Sequence, residues 1–361
     1  MKIIQIQSRP MIYNFSGKEF FMNPYQKFLV PDFIVASIYK NHQEDPQILI
    51  PNIYEVEEYK NYFKMFNYYE FIKKPDNILI SRTGGLGDLL LLSSLVYYFR
   101  KKFKKIKIYF STLPKYFELL KLFDIDGYFP IICPISKIKK IVRYIISFEG
   151  KIENEKLLNW YELTSRLVHY KLTKPYIKKI PQKYLNKYKA LVNKNKFNIF
   201  VHYHAGYSNR KINPFFLASI LKKIKTNDIE FIFSKFNNEK EKNMLVNEYK
   251  WRYIYTPTII DLFALVSICN YVISVDTVIP HFCGAIDKPF LGIFGPFSPE
   301  LRITTYKNAD WIVPNKTKVK EICEEYPCKI HGSCKINKDY GECFKFIEEE
   351  IFIQKIKGKL K

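Results

Sequence analysis

No stretch of the sequence reaches the ~18 uninterrupted apolar residues that a membrane-spanning helix needs. The richest run, Ile259 to Val275, is broken by Asp261 and Asn270. The first ten residues lack a long apolar core and a small-residue cleavage site, which argues against a secretory signal. Cysteine is sparse: 7 in 361 residues do not make a disulfide scaffold. There is no GxGxxG turn and no loop ending in GK[ST]. Helix-turn-helix, zinc-finger and RRM signatures are missing too, so no specific nucleic acid is expected as a partner. Acidic residues are few, 35 Asp plus Glu against 58 Lys plus Arg, giving +23. That balance favours anionic partners such as nucleotides, phosphorylated sugars or acidic lipid. Lys, Ile, Asn, Tyr and Phe are abundant together, as in proteins written by AT-rich genomes, so part of the charge is compositional. These features predict a cytoplasmic protein with peripheral contact at an acidic inner membrane face.

What is present is a folded chain of more than one domain: 47% hydrophobic, 26% charged and long. Residues 1–75 read as a small accessory module. Ile12 to Phe15 and Glu19 to Met22 flank Ser16-Gly17-Lys18 as a hairpin. Asp32 to Lys40 follows Pro31 as a helix, and Tyr54 to Phe71 reads as another. Strands and helices then alternate. Strands are expected at Asn77–Ser81, Lys107–Ser111, Gly127–Cys133 and Ile141–Ser147, and helices at Asp88–Phe103 and Leu157–Tyr170. The basic, Pro-containing stretch Lys171 to Lys189 is a linker candidate. The alternation restarts with strands Phe197–His202, Ile229–Ser234, Tyr271–Val275 and Phe290–Phe294, the last clear strand. Helices fall at Pro214–Lys225, Glu239–Tyr249, Ile259–Cys269 and Pro280–Ile286. Two such runs argue for α/β architecture with two open parallel sheets, over residues 76–185 and 186–345. A basic, amphipathic helix at 346–361 reads as crossing back to the first domain.

Three segments carry chemistry. Ser81-Arg82-Thr83-Gly84-Gly85-Leu86-Gly87-Asp88 leaves a strand and opens a helix, where glycines allow close ligand approach and free N–H groups attract anions. Asp88 has two readings, a helix cap or a general base; spacing alone favours the cap. His202-Tyr203-His204-Ala205-Gly206, followed by Arg210-Lys211 and Pro214, suits a diphosphate, with backbone donors and a point charge; the competing reading is a polar surface loop. Ser274-Val275-Asp276-Thr277 ends a strand, where ligands bind in parallel sheets. Capping by Asp276 or Thr277, and a satisfied core role for His281, are the structural alternatives there.

Taken in order, these segments resemble glycosyltransferase family 9, the ADP-heptose:lipopolysaccharide heptosyltransferases. The family's GxGD loop matches Gly85-Leu86-Gly87-Asp88. Its His-Pro-Gly-like turn and Lys before Trp-Pro resemble His204-Ala205-Gly206 and Lys211 to Pro214. Its last motifs match Ser274 to His281 and Asp287-Lys288-Pro289 through Phe294-Gly295-Pro296. The resemblance covers residues 76 to about 345. It implies a GT-B fold, two Rossmann-like domains facing a cleft. It also implies inverting transfer from a nucleotide-diphosphate sugar, ADP-heptose or related, to a glycan or glycolipid such as lipopolysaccharide, with no cofactor required. Asp88 matches the proposed general base, with Gly84, Gly85 and Gly87 forming the loop on the acceptor side. Gly206, Lys211, Asp276, Thr277 and His281 match donor-binding positions. Three departures stand out: Val278 for Gly, Asn213 for Trp, and Lys235 to Glu239 for a Gly-rich turn with an early Glu.

Two further matters stay open in the sequence. Cys323, Cys328, Cys334 and Cys343, with His331 among them, have spacings looser than paired CxxC motifs. A zinc site and reduced structural thiols are both compatible with them. The competing functions are a nucleotide-sugar epimerase of the same architecture, a catalytically degenerate sugar-nucleotide-binding protein and a basic nucleic-acid binder. Acceptor dependence separates the transferase from the epimerase. Steep salt dependence of binding to arbitrary DNA would mark the last.

Overall fold

The computed structural model describes residues 2–6, 11–15, 18–23, 26–37, 53–58, 63–148, 160–328 and 332–360. They form two compact units. One comprises 1–85, 95–156 and 166–170; the other comprises 86–94, 157–165 and 171–361.

The strands of the first unit are β1 (Lys2–Ile6), β2 (Met11–Phe15), β3 (Lys18–Met22), β4 (Lys27–Val30), β5 (Ile53–Glu58), β6 (Lys64–Met65), β7 (Ile78–Ser81), β8 (Ile108–Thr112), β9 (Gly127–Pro130), β10 (Cys133–Pro134) and β11 (Tyr144–Ser147). β6-β11-β7-β8-β9 is an all-parallel sheet. β7 (ILIS) is buried throughout, as a central parallel strand covered on both faces must be. β2 and β3 pair antiparallel with Phe15 opposite Lys18, the expected hairpin. The helix after Pro31 is seen over 32–37, and the rest of that expectation lies outside the described residues.

A second, antiparallel sheet, β10-β4-β1-β5, revises two expectations. Tyr54 to Phe71 is not one helix. Ile53–Glu58 pairs with β1, Lys64–Met65 pairs with β11, and only Tyr68–Lys73 is helical. The Asn67 side chain fixes that helix start by accepting from the Tyr69 and Glu70 N–H groups. Phe71 is buried among Phe99, Phe103 and Tyr144 at centroid distances of 5.6, 5.1 and 5.0 Å. Gly127 to Cys133 likewise divides. β9 stays in the parallel sheet, while Ile131 and Ile132 turn into the core formed with Phe28, Val30 and Ile34, and β10 pairs with β4.

The second unit contains β12 (Phe197–His202), β13 (Ile229–Phe233), β14 (Arg252–Tyr253), β15 (Tyr271–Val275), β16 (Phe290–Ile293) and β17 (Ala309–Ile312). All are parallel, in the order β14-β13-β12-β15-β16-β17. Counted within the unit this is 3-2-1-4-5-6, the doubly wound dinucleotide-binding order. β17 extends the sheet past the strand taken as last. Its sequence, ADWI, is only partly buried and carries an acidic residue, so it gives little hydrophobic signal.

Two more expectations are corrected here. The supposed linker 171–189 ends in a helix, Gln182–Lys189. Tyr188 is fully buried and its hydroxyl donates to Asp261 at 2.8 Å, while the Lys187 ammonium meets the same carboxylate at 2.8 Å. The final helix, Glu349–Lys357, belongs to the second unit. Its Phe352 and Ile356 join the core under β12, β13, β15 and β16 in the second unit. Among the described residues no helix is long and apolar enough to cross a membrane.

Candidate functional site

In this strand order the topological switch lies between β12 and β15, whose carboxyl ends are level, with His202 opposite Ser274. Chains leaving the two strands diverge to opposite faces, and the crevice that opens there is where such sheets bind ligands. The second and third sequence motifs are the two loops at this point.

At the end of β15 the capping question is decided. Thr277 is the cap of the helix Val278–Ala285, its hydroxyl accepting from the Ile279 N–H at 3.3 Å. Asp276 is therefore free of capping duty. It is 5% exposed, with its carboxylate 3.5 Å from Nη1 of Arg210. Asp287 holds a left-handed φ of 53°, a conformation that favours glycine. Val278 opens the helix.

His281 is buried on the same helix. Its Nδ1 lies 2.8 Å from the Tyr306 hydroxyl, which is in turn 2.8 Å from the Tyr161 hydroxyl. The ring's other edge faces the glycine loop: a Cβ on Gly87 would stand 3.2 Å from Cδ2 and 3.7 Å from Nε2. The satisfied-core reading of His281 is thus half right, because one nitrogen is bonded in the core while the opposite edge abuts Gly87. Burial holds the imidazole down to about 4; Asp276 and Asp88 oppose that, and Arg302 and Arg210 reinforce it.

Asp88 is not a cap. Gly85 holds the N-cap position of the helix Leu86–Lys102, and Asp88 is the third helical residue, half-buried in the first turn. Of the loop glycines, Gly87 is needed for close approach. Gly85 and Gly206 have open space where a Cβ would be, so neither is demanded by crowding.

At the end of β12, His204 is buried and Nε2 lies 3.1 Å from the Lys235 carbonyl. Burial, then the Lys235 and Lys211 charges, lower it to about 4, against the pull of that carbonyl. Lys211 is half-buried, and its carbonyl accepts the Gly341 N–H at 2.9 Å. Asn213, in place of Trp, caps the helix Pro214–Lys222, accepting from Phe215 and Phe216.

Sequence reading missed Glu241, Arg302, Tyr306 and Tyr161. Glu241 is 3% exposed and accepts from the Asn237 backbone and side chain and from Tyr203. The signal was there: Asn238 caps the helix and Glu241 follows three residues on, the capping-box spacing. The tyrosines and Arg302 stand in no local pattern.

Cys323, Cys328, Cys334 and Cys343 are free thiols, and among the described residues no group of three or more metal-type side chains comes together. His331 lies outside the described residues. Burial, then the neighbouring thiols, push Cys343 up to about 12.

The two buried histidines set an acid limit. An unfolded histidine takes a proton near pH ~6.5, whereas His204 and His281 do so only near about 4. Between those values the unfolded chain binds more protons, so stability is full above pH ~6.5 and falls as the pH drops toward 4. Thermal melts should show Tm declining steadily over that window. A Tm that rises on acidification would contradict two neutral, buried imidazoles.

The fold and these strand-end loops define an α/β protein of the GT-B class. Residues 256–333, which include Asp276, Thr277 and His281, match the model of glycosyltransferase family 9 (heptosyltransferase). The resemblance seen in the motifs is borne out, and the match supports a glycosyltransferase. A search of curated proteins gives no match. Among solved structures, Escherichia coli ADP-heptose lipopolysaccharide heptosyltransferase II is similar with a TM-score of 0.60 at 12% identity, covering 79% of this chain and 98% of that one. A family 9 glycosyl transferase from Veillonella parvula gives 0.57 at 13%, covering 79% and 97%. The iron-containing heptosyltransferase TibC of enterotoxigenic E. coli, in complex with ADP-D-β-D-heptose, gives 0.52 at 12%, covering 79% and 75%. At these identities the likeness is one of fold.

Proposed function

We propose that the protein is an inverting, metal-independent glycosyltransferase that moves a sugar, heptose or related, from a nucleotide-diphosphate donor to a glycan or glycolipid acceptor. The observation that carries this reading is the coincidence of the family match with the loop at the sheet's switch point. In the reaction, an acceptor hydroxyl oxygen bonds to the anomeric carbon from one face. The bond to the diphosphate oxygen breaks on the other, and its electron pair leaves with the diphosphate. Asp88 takes the acceptor proton. Lys211, Thr277 and the backbone around Gly206 offset the charge that grows on the leaving group. Asp276 and His281 complete the donor side.

The test is nucleotide release from ADP-heptose and other nucleotide sugars, with and without a lipopolysaccharide-type acceptor. Release that requires the acceptor supports transfer; sugar conversion without one points to an epimerase. Lys211→Ala should weaken nucleoside-diphosphate binding by about 1.5–3 kcal/mol, as for a lost charged hydrogen bond. Calorimetry giving an unchanged Kd in a folded variant removes Lys211 from the donor site.

A further inference from the structure

The loops after β12 and β16 each send an arginine to one aromatic ring. Phe297, buried in the loop after β16, has the guanidinium carbon of Arg302 4.9 Å from its centroid and that of Arg210 6.0 Å away. Arg210 comes from the loop after β12, and Asp276 from the end of β15 is its carboxylate neighbour, at a long 3.5 Å. The Nε of each arginine is buried and has no hydrogen-bond partner. Among the described residues Arg302 makes no ion pair within 4.0 Å. A buried N–H without an acceptor is costly, and a guanidinium without a counter-charge more so. Here two guanidinium groups, each with an unpartnered Nε–H, lie near one ring, and only Arg210 has a carboxylate beside it.

Arg210 also lies over the Tyr207 ring at 5.5 Å, nearer than its 6.0 Å to Phe297. A guanidinium stacked on an aromatic face has lost little freedom it would still need to lose on binding, and it presents its fork ready for two oxygens of one phosphoryl group. The two forks suit two phosphoryl groups better than one. The cations felt at His281 are Arg302 and Arg210, whereas Lys211 is felt at His204. Arg210 reaches Asp276 at the end of β15, next to the helix capped by Thr277.

We infer that Arg302, over Phe297, and Arg210, near both Tyr207 and Phe297, grip the diphosphate of the nucleotide-sugar donor as a pair of guanidinium forks. The inference rests on the donor reading above and adds residues that the family motifs do not contain. Arg210 also holds Asp276 in place, so Arg302 is the cleaner probe.

The experiment is calorimetry with ADP, UDP, GDP and inorganic pyrophosphate on the full chain, comparing wild type with Arg302→Gln and Arg210→Gln. Each variant should lose about 10–100-fold in affinity for the nucleoside diphosphate that wild type binds. The loss should be smaller for the matching monophosphate, which engages one fork. Wild-type affinity in folded variants, or an equal loss for mono- and diphosphate, overturns the inference while leaving the donor reading intact. Wild type that binds none of the diphosphates overturns both. Should a variant fail to fold, arginine-labelled wild-type protein answers instead. The Nε–H resonances of Arg210 and Arg302 should shift when the diphosphate is added, and resonances that stay put reject the pair.

Discussion

Asp88→Asn should fold, melt close to the parent, keep its donor affinity and lose sugar transfer by roughly 10²–10⁴-fold. The structure sharpens this expectation by placing Asp88 inside the helix and not at the N-cap position. The helix Leu86–Lys102 is capped at Gly85, which has no side chain to contribute, and Asp88 lies three residues inside. A carboxylate in the first turn gains only about 0.3–1 kcal/mol from the helix dipole. The amide forfeits that modest sum, so Tm should move little. It forfeits the proton acceptor altogether. Asp88 follows Gly87, whose bare Cα faces the His281 ring, and its charge is felt at that imidazole. Acceptor-dependent nucleotide release by the purified variant is the measurement. Full activity in a folded Asn variant would leave Asp88 as a charge at a helix start and nothing more.

The second large effect is expected at Gly284. A Cβ there would lie 2.6 Å from Cδ2 of Tyr306, with Cε2 and Cγ at 2.7 Å. The ring is 5% exposed and cannot step aside without moving its hydroxyl. Gly284→Ala would gain about 1 kcal/mol of helix propensity. Against this stands overpacking of ~1–3 kcal/mol. The displaced hydroxyl would also strand His281 Nδ1 and the Tyr161 hydroxyl, at about 1–3 kcal/mol for each buried group left without a partner. The balance is destabilising by about 2–8 kcal/mol, and at ~2–4 °C per kcal/mol Tm should fall by about 4 °C or more. A melting curve matching the parent would show that the Tyr306 ring is not held where the hydrogen bonds place it.

Much of the sheet architecture was legible because parallel strands buried on both faces are short apolar runs. FNIFVH, YVISV and FLGI each occupy the position the pattern assigned them. The edges were not legible. β14 has two residues and β17 is half polar, since an edge strand needs little burial and so leaves little trace. Tyr54 to Phe71 misled because its aromatics suggested a helical face. In the fold, strands β5 and β6 satisfy separate sheets and only the last turn and a half is helical. In the site, the residues that end strands were visible, since strand ends are fixed by local sequence. Tyr161, Tyr306 and Arg302 were not, because what makes each of them matter is a neighbour distant in sequence.

The row of hydroxyl, hydroxyl and imidazole formed by Tyr161, Tyr306 and His281 behaves as a single polarised wire. If Tyr161 donates to Tyr306, Tyr306 must donate to Nδ1, and His281 then shows an N–H toward Gly87. If the row runs the other way, the same ring edge shows a lone pair. Whether the histidine greets a passing ligand as donor or as acceptor is therefore one binary choice, written at the far end of the row by whatever the Tyr161 oxygen meets. A substitution there would invert the sign of the contact without touching a residue that the ligand itself could reach.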